Sequence, residues 1–232
     1  GTFITDPTGG GGTNISHVFS VTHANSVVSV SALDIINAGN DGGGVFSDPI
    51  HQDGGELVIE CRDILVQGSG AGYPVWWSDG RMSIHARDIR QLSDGSGGVT
   101  VSATSVNHPT GECFIKCDLI ESANPGSYAL QQSVLNDTPT EDSTAKVWIE
   151  ALSIVGNRHS SGTDNNDAII KTDGGNLYVT TQKVNGSIRT SGAFGTFYLN
   201  AQKQQGWLPD DPADGMIQLG GALSHIDILE CI

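Results

Sequence analysis

Apolar side chains alternate with polar or variable ones in a ten-residue stretch that recurs along the chain. The clearest copy, residues 55–64, reads Gly-Glu-Leu-Val-Ile-Glu-Cys-Arg-Asp-Ile. Alternation with a period of two predicts a β-strand with one buried face. Copies begin at Ser26, Gly55, Gly80, Gly111, Ala145, Gly175 and Gly195, so neighbouring starts are 20 to 34 residues apart. Recurrence at such intervals indicates a stacked repeat.

Three alternate positions of each copy are apolar or small, and we expect them to face a common core. The third positions are Val28, Leu57, Met82, Cys113, Val147, Leu177 and Phe197. The fifth positions are Val30, Ile59, Ile84, Ile115, Ile149, Val179 and Leu199. The seventh positions are Ala32, Cys61, Ala86, Cys117, Ala151, Thr181 and Ala201.

A second short apolar strand is predicted after each copy, between turns rich in glycine. These strands are residues 44–46, 75–77, 99–101, 128–130, 168–170, 187–189 and 216–219. Two or three strands per repeat predict an all-β, single-stranded parallel β-helix, a solenoid over residues 26–232. With residues 226–228 counted as a further strand, the solenoid has about eight rungs. Residues 1–25 do not fit the repeat and are predicted to form an amino-terminal arm or cap.

Charge and hydropathy argue against a nucleic-acid partner and against insertion into a membrane. The formal net charge is -15, with only 11 Lys and Arg, and phosphate backbones are bound by basic faces. We therefore expect no nucleic-acid partner. The chain contains no apolar run of 18 or more residues, so no membrane insertion is expected.

The cysteines predict free thiols and no metal site. Cys61, Cys113 and Cys117 fall on inward positions. Cys61 and Cys117 lie two repeats apart, roughly 9–10 Å at strand spacing, which is too far for a disulfide. We expect them to act as small apolar side chains in the core, and the place of Cys231 stays open. The histidines show no metal-ligand spacing, and no cofactor is predicted.

Position six points outward and carries candidate chemistry. Its residues are Ser31, Glu60, His85, Lys116, Glu150, Thr180 and Asn200. Glu60, His85 and Lys116 place an acid, an imidazole and an amine on neighbouring repeats, as general acid–base catalysis requires. Opposite charges across strands also stabilise ordinary sheets. We favour the structural interpretation and keep these three residues as the catalytic candidates if the protein is an enzyme.

Position four also points outward and is aromatic in four successive copies. These residues are Phe114, Trp148, Tyr178 and Tyr198. Exposed, they form a stripe roughly 15 Å long at strand spacing, and contiguous apolar surface usually contacts a partner. We expect a subunit interface or covering loops in preference to stacking on sugar rings.

Two long loops and the last predicted strand also favour contact with a partner. The long polar connections 134–144 and 156–167 are candidate binding loops. The run 226–232 reads as a strand without a polar cap, which predicts edge-to-edge contact with another subunit unless the chain is a fragment.

The repeats resemble those of right-handed parallel β-helix proteins, the pectate-lyase-like superfamily that includes phage tailspikes. The resemblance covers about residues 26–232 and implies a three-sided coil with elongated surfaces, often used on polysaccharides and often assembled as trimers. The Asn-Thr-Asp, Gly-His-Gly and Arg-Ile-Lys elements of its hydrolases are missing. The one Asp pair, Asp210 and Asp211, lies between prolines and is interpreted as a surface turn.

Two functions follow as expectations. The first is a non-enzymatic structural or receptor-binding component of a bacteriophage virion: a tail fibre, a tailspike-like or a head-associated protein. Its expected partners are further copies of the chain, with a trimer favoured, or other virion proteins, and a cell-surface polysaccharide. The second is a secreted, extracellular polysaccharide lyase or glycoside hydrolase. An ice-binding solenoid is a weak third, because no outward Thr-x-Thr ladder repeats.

Overall fold

The computed structural model describes residues 2–5, 19–21, 23–37, 50–67, 73–92, 99–102, 111–123, 128–133, 145–156, 167–171, 175–191, 195–205, 217–220 and 223–232. Its elements are β1 (Thr2–Thr5), β2 (Phe19–Val21), β3 (Val27–Ser31), β4 (Asp34–Asn37), β5 (Ile50–Glu60), β6 (Asp63–Val66), β7 (Val75–His85), β8 (Asp88–Gln91), β9 (Val99–Ser102), β10 (Glu112–Ser122), β11 (Leu130–Ser133), β12 (Lys146–Val155), β13 (Asp167–Lys171), β14 (Asn176–Asn185), β15 (Ser187–Thr190), β16 (Thr196–Gln205), β17 (Ile217–Leu219) and β18 (Leu223–Cys231).

Every strand pairing among the described residues is parallel, and each joins a strand to its equivalent one repeat later. We distinguish three rows of strands. The first row contains β3, the ends of β5 and β7, and the beginnings of β10, β12, β14, β16 and β18. The second contains β1, β4, β6, β8 and the later parts of β10, β12, β14, β16 and β18. The third contains β2, the beginnings of β5 and β7, and β9, β11, β13, β15 and β17.

The predicted all-β, parallel class is confirmed, and the three rows are compatible with a parallel β-helix. The seven predicted copies also align residue by residue in the first row: Val27 pairs with Glu56, and Glu56 with Arg81. An eighth copy aligns with them, because Leu223 pairs with Thr196. The pattern predicts this copy only from Ile226 onward. No helix among the described residues is long and apolar enough to span a membrane.

The core consists of side chains stacked from one repeat to the next. Positions three and five are buried from the second copy to the seventh, as predicted. At position ten, a stack of β-branched residues is fully buried; it comprises Ile35, Ile64, Ile89, Ile120, Ile154 and Val184. The next residue of this stack is Gln204, whose side-chain Nε2 donates to the Gly186 carbonyl at 3.1 Å. Burial of the amide nitrogen is therefore compensated by a hydrogen bond.

Glycine opens several copies because the chain turns sharply from the third row into the first. Gly55 and Gly80 have φ of 70° and 86°, a region in which a Cβ is strongly disfavoured. A Cβ on Gly55 would also lie 2.5 Å from the Ser26 carbonyl oxygen of the preceding repeat. The position-one glycine therefore allows close contact between successive repeats.

The chain bends from the first row to the second at position seven. The amides of Ala32 and Cys61 donate to the carbonyls of Glu60 and His85 in the following repeats, each at 3.0 Å. Small side chains leave room for the bend, which explains why position seven is always Ala, Cys or Thr.

Buried carboxylates follow the bend and are held by arginines of the next repeat. Asp34 and Asp63 are 6% and 7% exposed. Arg62 donates to both Asp34 oxygens, at 2.9 and 2.7 Å, and Arg87 donates to Asp63 at 2.8 Å. Bidentate pairing of this kind offsets the cost of burying a carboxylate. At Asp88, burial outweighs the attraction of Arg87 and raises the pKa of the carboxyl group.

Most of the predicted second strands belong to the third row. Residues 75–77, 99–101, 168–170, 187–189 and 217–219 are strands, whereas the one predicted at 128–130 begins at Leu130. Residues 44–46 lie outside the described residues, and the third-row strand of that repeat begins at Ile50. The candidate loop 134–144, most of 156–167, and Asp210 with Asp211 also lie outside the described residues. The division of the chain at residue 25 stays a prediction.

Cys61, Cys113 and Cys117 are free thiols, as predicted, and Cys231, whose place the sequence left open, is also free. Cys113 and Cys117 are buried, Cys61 is half-buried and Cys231 is exposed. Burial raises the pKa of Cys61 and Cys117 to about 12, and it also raises the pKa of Cys113. Little thiolate therefore forms at these three sites near neutral pH.

Substitution of Ile120 by alanine tests the stacked core. Ile120 is fully buried, so Ile120→Ala is expected to lower the free energy of unfolding by about 2–5 kcal/mol. Urea titration followed by circular dichroism measures the change. Leu152→Ala is the control, because Leu152 is 47% exposed and its loss is expected to cost no more than about 0.5 kcal/mol. Equal losses in the two variants would contradict the stacking.

A thiol reagent tests the burial of the cysteines. In the native protein we expect one fast-reacting thiol, Cys231, and slow reaction at Cys113 and Cys117, because the thiolate is the reactive form. Spectrophotometric titration with a disulfide reagent measures the phases before and after unfolding. Cys231→Ser removes the fast phase in the matched control. A fast phase that survives this substitution would show that another thiol is accessible.

Candidate functional site

The outward face of the first row presents the side chains of positions four and six in two parallel columns. Positions three and five on either side of position four are buried in the core. Side chains alternate across a strand, so positions four and six point away from the core. In-register pairing then places each of these residues beside its equivalent in the next repeat.

Four rings of the position-four column stack on one another. Trp148 and Tyr178 have centroids 5.6 Å apart, Tyr178 and Tyr198 4.8 Å, and Tyr198 and His225 4.9 Å. The angles between their planes are 13°, 5° and 7°. These separations follow the strand spacing of about 4.8 Å, because the strands pair with no register shift across the column. We call these four side chains the ring ladder.

Stacking determines which parts of the rings can contact a ligand. Tyr178 lies between Trp148 and Tyr198, and Tyr198 lies between Tyr178 and His225. Both faces of each tyrosine are therefore covered by neighbouring rings. Sugar rings stack on aromatic faces, so these two tyrosines offer only edges and hydroxyl groups. Tyr198 is 38% exposed, which makes its edge accessible.

His225 is the member of the ring ladder that the sequence pattern misses. It occupies position four of the eighth copy, opposite Tyr198. The pattern predicts this copy only from residue 226, because Ser224 interrupts the apolar third positions. The sequence does contain a weak signal for this copy, because Ser224, Ile226 and Ile228 place small or apolar side chains at its positions three, five and seven.

Phe114 lies beside the ring ladder and lines a concave site with Trp148. The two residues are paired in register, and both are half-buried. A concavity of about 450 Å³ is lined by Glu56, Leu57, Val58, Arg81, Met82, Ser83, Glu112, Cys113, Phe114 and Trp148. It forms where position four changes from the small side chains of Val58 and Ser83 to large aromatic ones.

The three catalytic candidates stand next to one another in the position-six column. Glu60 pairs with His85, and His85 with Lys116, and all three side chains are exposed. The Lys116 Nζ lies 3.1 Å from Glu150 Oε2, with both side chains about half exposed. Such a pair stabilises the sheet by at most about 1 kcal/mol. The column thus contains an ordinary cross-strand ion pair between Lys116 and Glu150. It also places Glu60, His85 and Lys116 side by side, as acid–base chemistry would need.

A polar groove runs beside this column towards the bend. It encloses about 400 Å³ and its lining includes His85, Lys116, Asp118, Glu150 and Gln182. A second concavity of about 400 Å³ lies between the position-six column and the ring ladder, at Tyr178, Tyr198 and His225. In the part of the chain that the structure describes, no group of three or more His, Cys, Asp and Glu side chains is placed to hold a metal ion.

Comparison with protein-family models, with curated proteins and with solved structures finds no match to this chain. Its function is therefore inferred from the geometry of the first row.

Proposed function

We propose that the chain forms a right-handed parallel β-helix of about eight rungs and serves as a non-enzymatic structural or receptor-binding component of a bacteriophage virion. The parallel rows support the solenoid, and crossover connections between parallel strands are right-handed in about 98% of cases. Tail fibre, tailspike-like and head-associated positions fit the proposal equally, and the resemblance to phage β-helix proteins motivates it by analogy.

The ring ladder is the observation that carries the proposal. Its tyrosine faces are covered by stacking, which removes the surface that a sugar ring would use. Its edges form a continuous, partly exposed aromatic strip on a chain of net charge -15. Aromatic residues are enriched at the centres of protein interfaces, while charged ones are depleted there. A strip of this kind therefore suits contact with another protein surface.

Further copies of the chain, with a trimer favoured, are the partners that we propose first, and other virion proteins are the second. A three-fold arrangement brings the same face of three subunits to one axis, so each ring ladder contacts its equivalents. A cell-surface polysaccharide is the proposed receptor. Its place would be the concavity at Phe114 and Trp148, where one face of Trp148 is not covered by the ring ladder.

Removal of the two central rings tests assembly through this face. The Tyr178→Ala, Tyr198→Ala double variant is expected to lose about 2 kcal/mol or more of association free energy, the usual cost of truncating aromatic hot spots. Multi-angle light scattering measures the mass of the assembly, and circular dichroism verifies folding. Leu152→Ala removes an exposed leucine at the bend and is expected to keep the wild-type mass. A wild-type chain that is a stable monomer would contradict assembly.

A secreted polysaccharide lyase or glycoside hydrolase is the second candidate. Glu60, His85 and Lys116 are adjacent in the first row and open to solvent. Beside them lies the polar groove of about 400 Å³, which falls within the usual size range of ligand sites. His85 would be the proton acceptor, with Glu60 and Lys116 on either side of it.

A polysaccharide screen separates the two functions. If the enzyme proposal holds, acidic or neutral glycans acquire unsaturated ends or new reducing ends, and His85→Ala lowers the rate about 100-fold or more. His23→Ala is the matched control, because His23 is an exposed turn residue whose Nδ1 accepts a hydrogen bond from the Asn25 amide. Activity that persists in His85→Ala would rule out this residue assignment, and a negative screen favours the virion proposal.

A further inference from the structure

Position two supplies a third outward column to the first row. Position three is buried from the second copy to the seventh, so the side chains of position two point away from the core, like those of positions four and six. From the second copy to the seventh, this column consists of Glu56, Arg81, Glu112, Lys146, Asn176 and Thr196. Position four lies between the other two columns. We call the surface of these three columns, from the second copy to the seventh, the three-column face.

Both outer columns change the sign of their charge between the fourth and fifth copies. At position two, Glu112 is followed by Lys146, and at position six, Lys116 is followed by Glu150. All four side chains are exposed. In the sixth and seventh copies, both outer columns are neutral. The charges of the face are therefore centred between the fourth and fifth copies, and the two columns have opposite order.

Side-chain size at position four changes at the same place. Val58 and Ser83 in the second and third copies are small, and the concavity of about 450 Å³ lies beside them. The sixth and seventh copies carry Tyr178 and Tyr198, which stack in the ring ladder. One half of the three-column face is therefore recessed, and the other half is filled by aromatic rings.

A two-fold axis that runs along the strands, between the fourth and fifth copies, places this face on the same face of a second copy. The strand directions coincide and the order of the repeats is reversed, so the fourth copy faces the fifth of the other chain. Glu112 then faces Lys146 of the second copy, and Lys116 faces Glu150 of the second copy. Each ion pair occurs twice. Sheets that pack face to face keep their strands within about 30° of each other, and this arrangement meets that condition.

The same axis sets large side chains against small ones. Ser83 faces Tyr178 of the second copy, and Val58 faces Tyr198 of the second copy, so the ring edges enter the concavity. At the centre, Phe114 faces Trp148 of the second copy. The remaining pairs are Glu56 with Thr196, Arg81 with Asn176, Glu60 with Asn200, and His85 with Thr180. None of them brings like charges together.

Other symmetric arrangements of the face are less favourable. With the axis on the fourth copy, Glu112 faces itself and Lys116 faces itself, and like charges that meet across an interface are costly. An axis parallel to the solenoid brings equal repeats to one level. It places Glu56 beside Glu60 of the next copy and sets tyrosines against tyrosines, while the recess at Ser83 stays unfilled. Charge and size therefore select the arrangement with reversed order.

We infer that the three-column face is self-complementary and docks, with its repeats in reversed order, on the same face of a second copy of this chain. The contact is two-fold, because the same residues serve on both sides. It rests on the proposed function, namely on contact between copies through the first-row face. It specifies a pair at that face, whereas the trimer is favoured by the resemblance alone. The second copy fills the concavity proposed for a polysaccharide, so the two ligands compete there.

Charge reversal at Lys116 tests the contact by sedimentation equilibrium of the 232-residue chain. The wild type is expected to have the mass of two chains. Lys116→Glu sets a carboxylate against Glu150 of the second copy at two places, so the dissociation constant is expected to rise about tenfold or more. Adding Glu150→Lys restores opposite charges at both places and is expected to restore the wild-type value. With an axis parallel to the solenoid, these residues face Glu112 and Lys146 instead, and the double variant would stay dissociated.

Lys203→Glu is the matched control for the charge reversal. The Lys203 Nζ lies 3.8 Å from Glu230 in the second row, so this change removes an ion pair and reverses the same charge outside the three-column face. Its dissociation constant is expected to equal that of the wild type, and circular dichroism melting verifies folding. A double variant that stays dissociated, or a wild-type mass of three chains, would overturn the inference and leave the proposed function standing. A wild type that is a monomer would overturn both.

Ser83→Trp tests the fit of the rings. The indole occupies the space that Tyr178 of the second copy needs, so the dissociation constant is expected to rise about tenfold or more in the same measurement. Ser153→Trp is the matched control, because Ser153 is also half-buried but lies in the second row. Its dissociation constant is expected to equal that of the wild type. Tighter association of Ser83→Trp would show that Ser83 faces an unfilled recess and would overturn the inference.

Discussion

In-register parallel pairing is the constraint on which the rest of the structure depends. Each strand of the first row lies about one strand spacing from its equivalent, and equivalent residues pair without a shift from β10 to β18. A side chain is therefore packed mainly against the same position of the repeats before and after it. One apolar position then becomes a continuous stack, and loops of different length can join the repeats without disturbing it.

The same constraint produces the surface features. Stacking of position four gives the ring ladder, and stacking of position six brings Glu60, His85 and Lys116 together. At the bend it sets each buried carboxylate beside an arginine of the next repeat, as with Asp34 and Arg62. Rings that cover one another's faces offer only their edges to a partner, whereas an isolated aromatic residue can also offer a face. The proposal of a protein interface rests on that difference.

The third row buries polar side chains as well as apolar ones. Gln132, Lys171 and Thr190 are buried there on neighbouring strands, and the Arg189 Nη2 lies 2.7 Å from the Asp167 carboxylate. Buried charges are tolerated when they are paired, so these residues constrain how the third row can pack. The short strands of this row offered no period from which such positions could be predicted.

The sequence alone determined the strands of the first row, their inward and outward positions and the alignment of seven repeats, because a period of two is a local property of each strand. It also identified the two outward columns, since their residues are fixed once the strands are aligned. Only the tertiary structure showed that the tyrosine faces are covered, that His225 continues the column and that Arg62 holds Asp34. These features depend on ring orientation and on contacts between residues of different repeats, which no local pattern encodes.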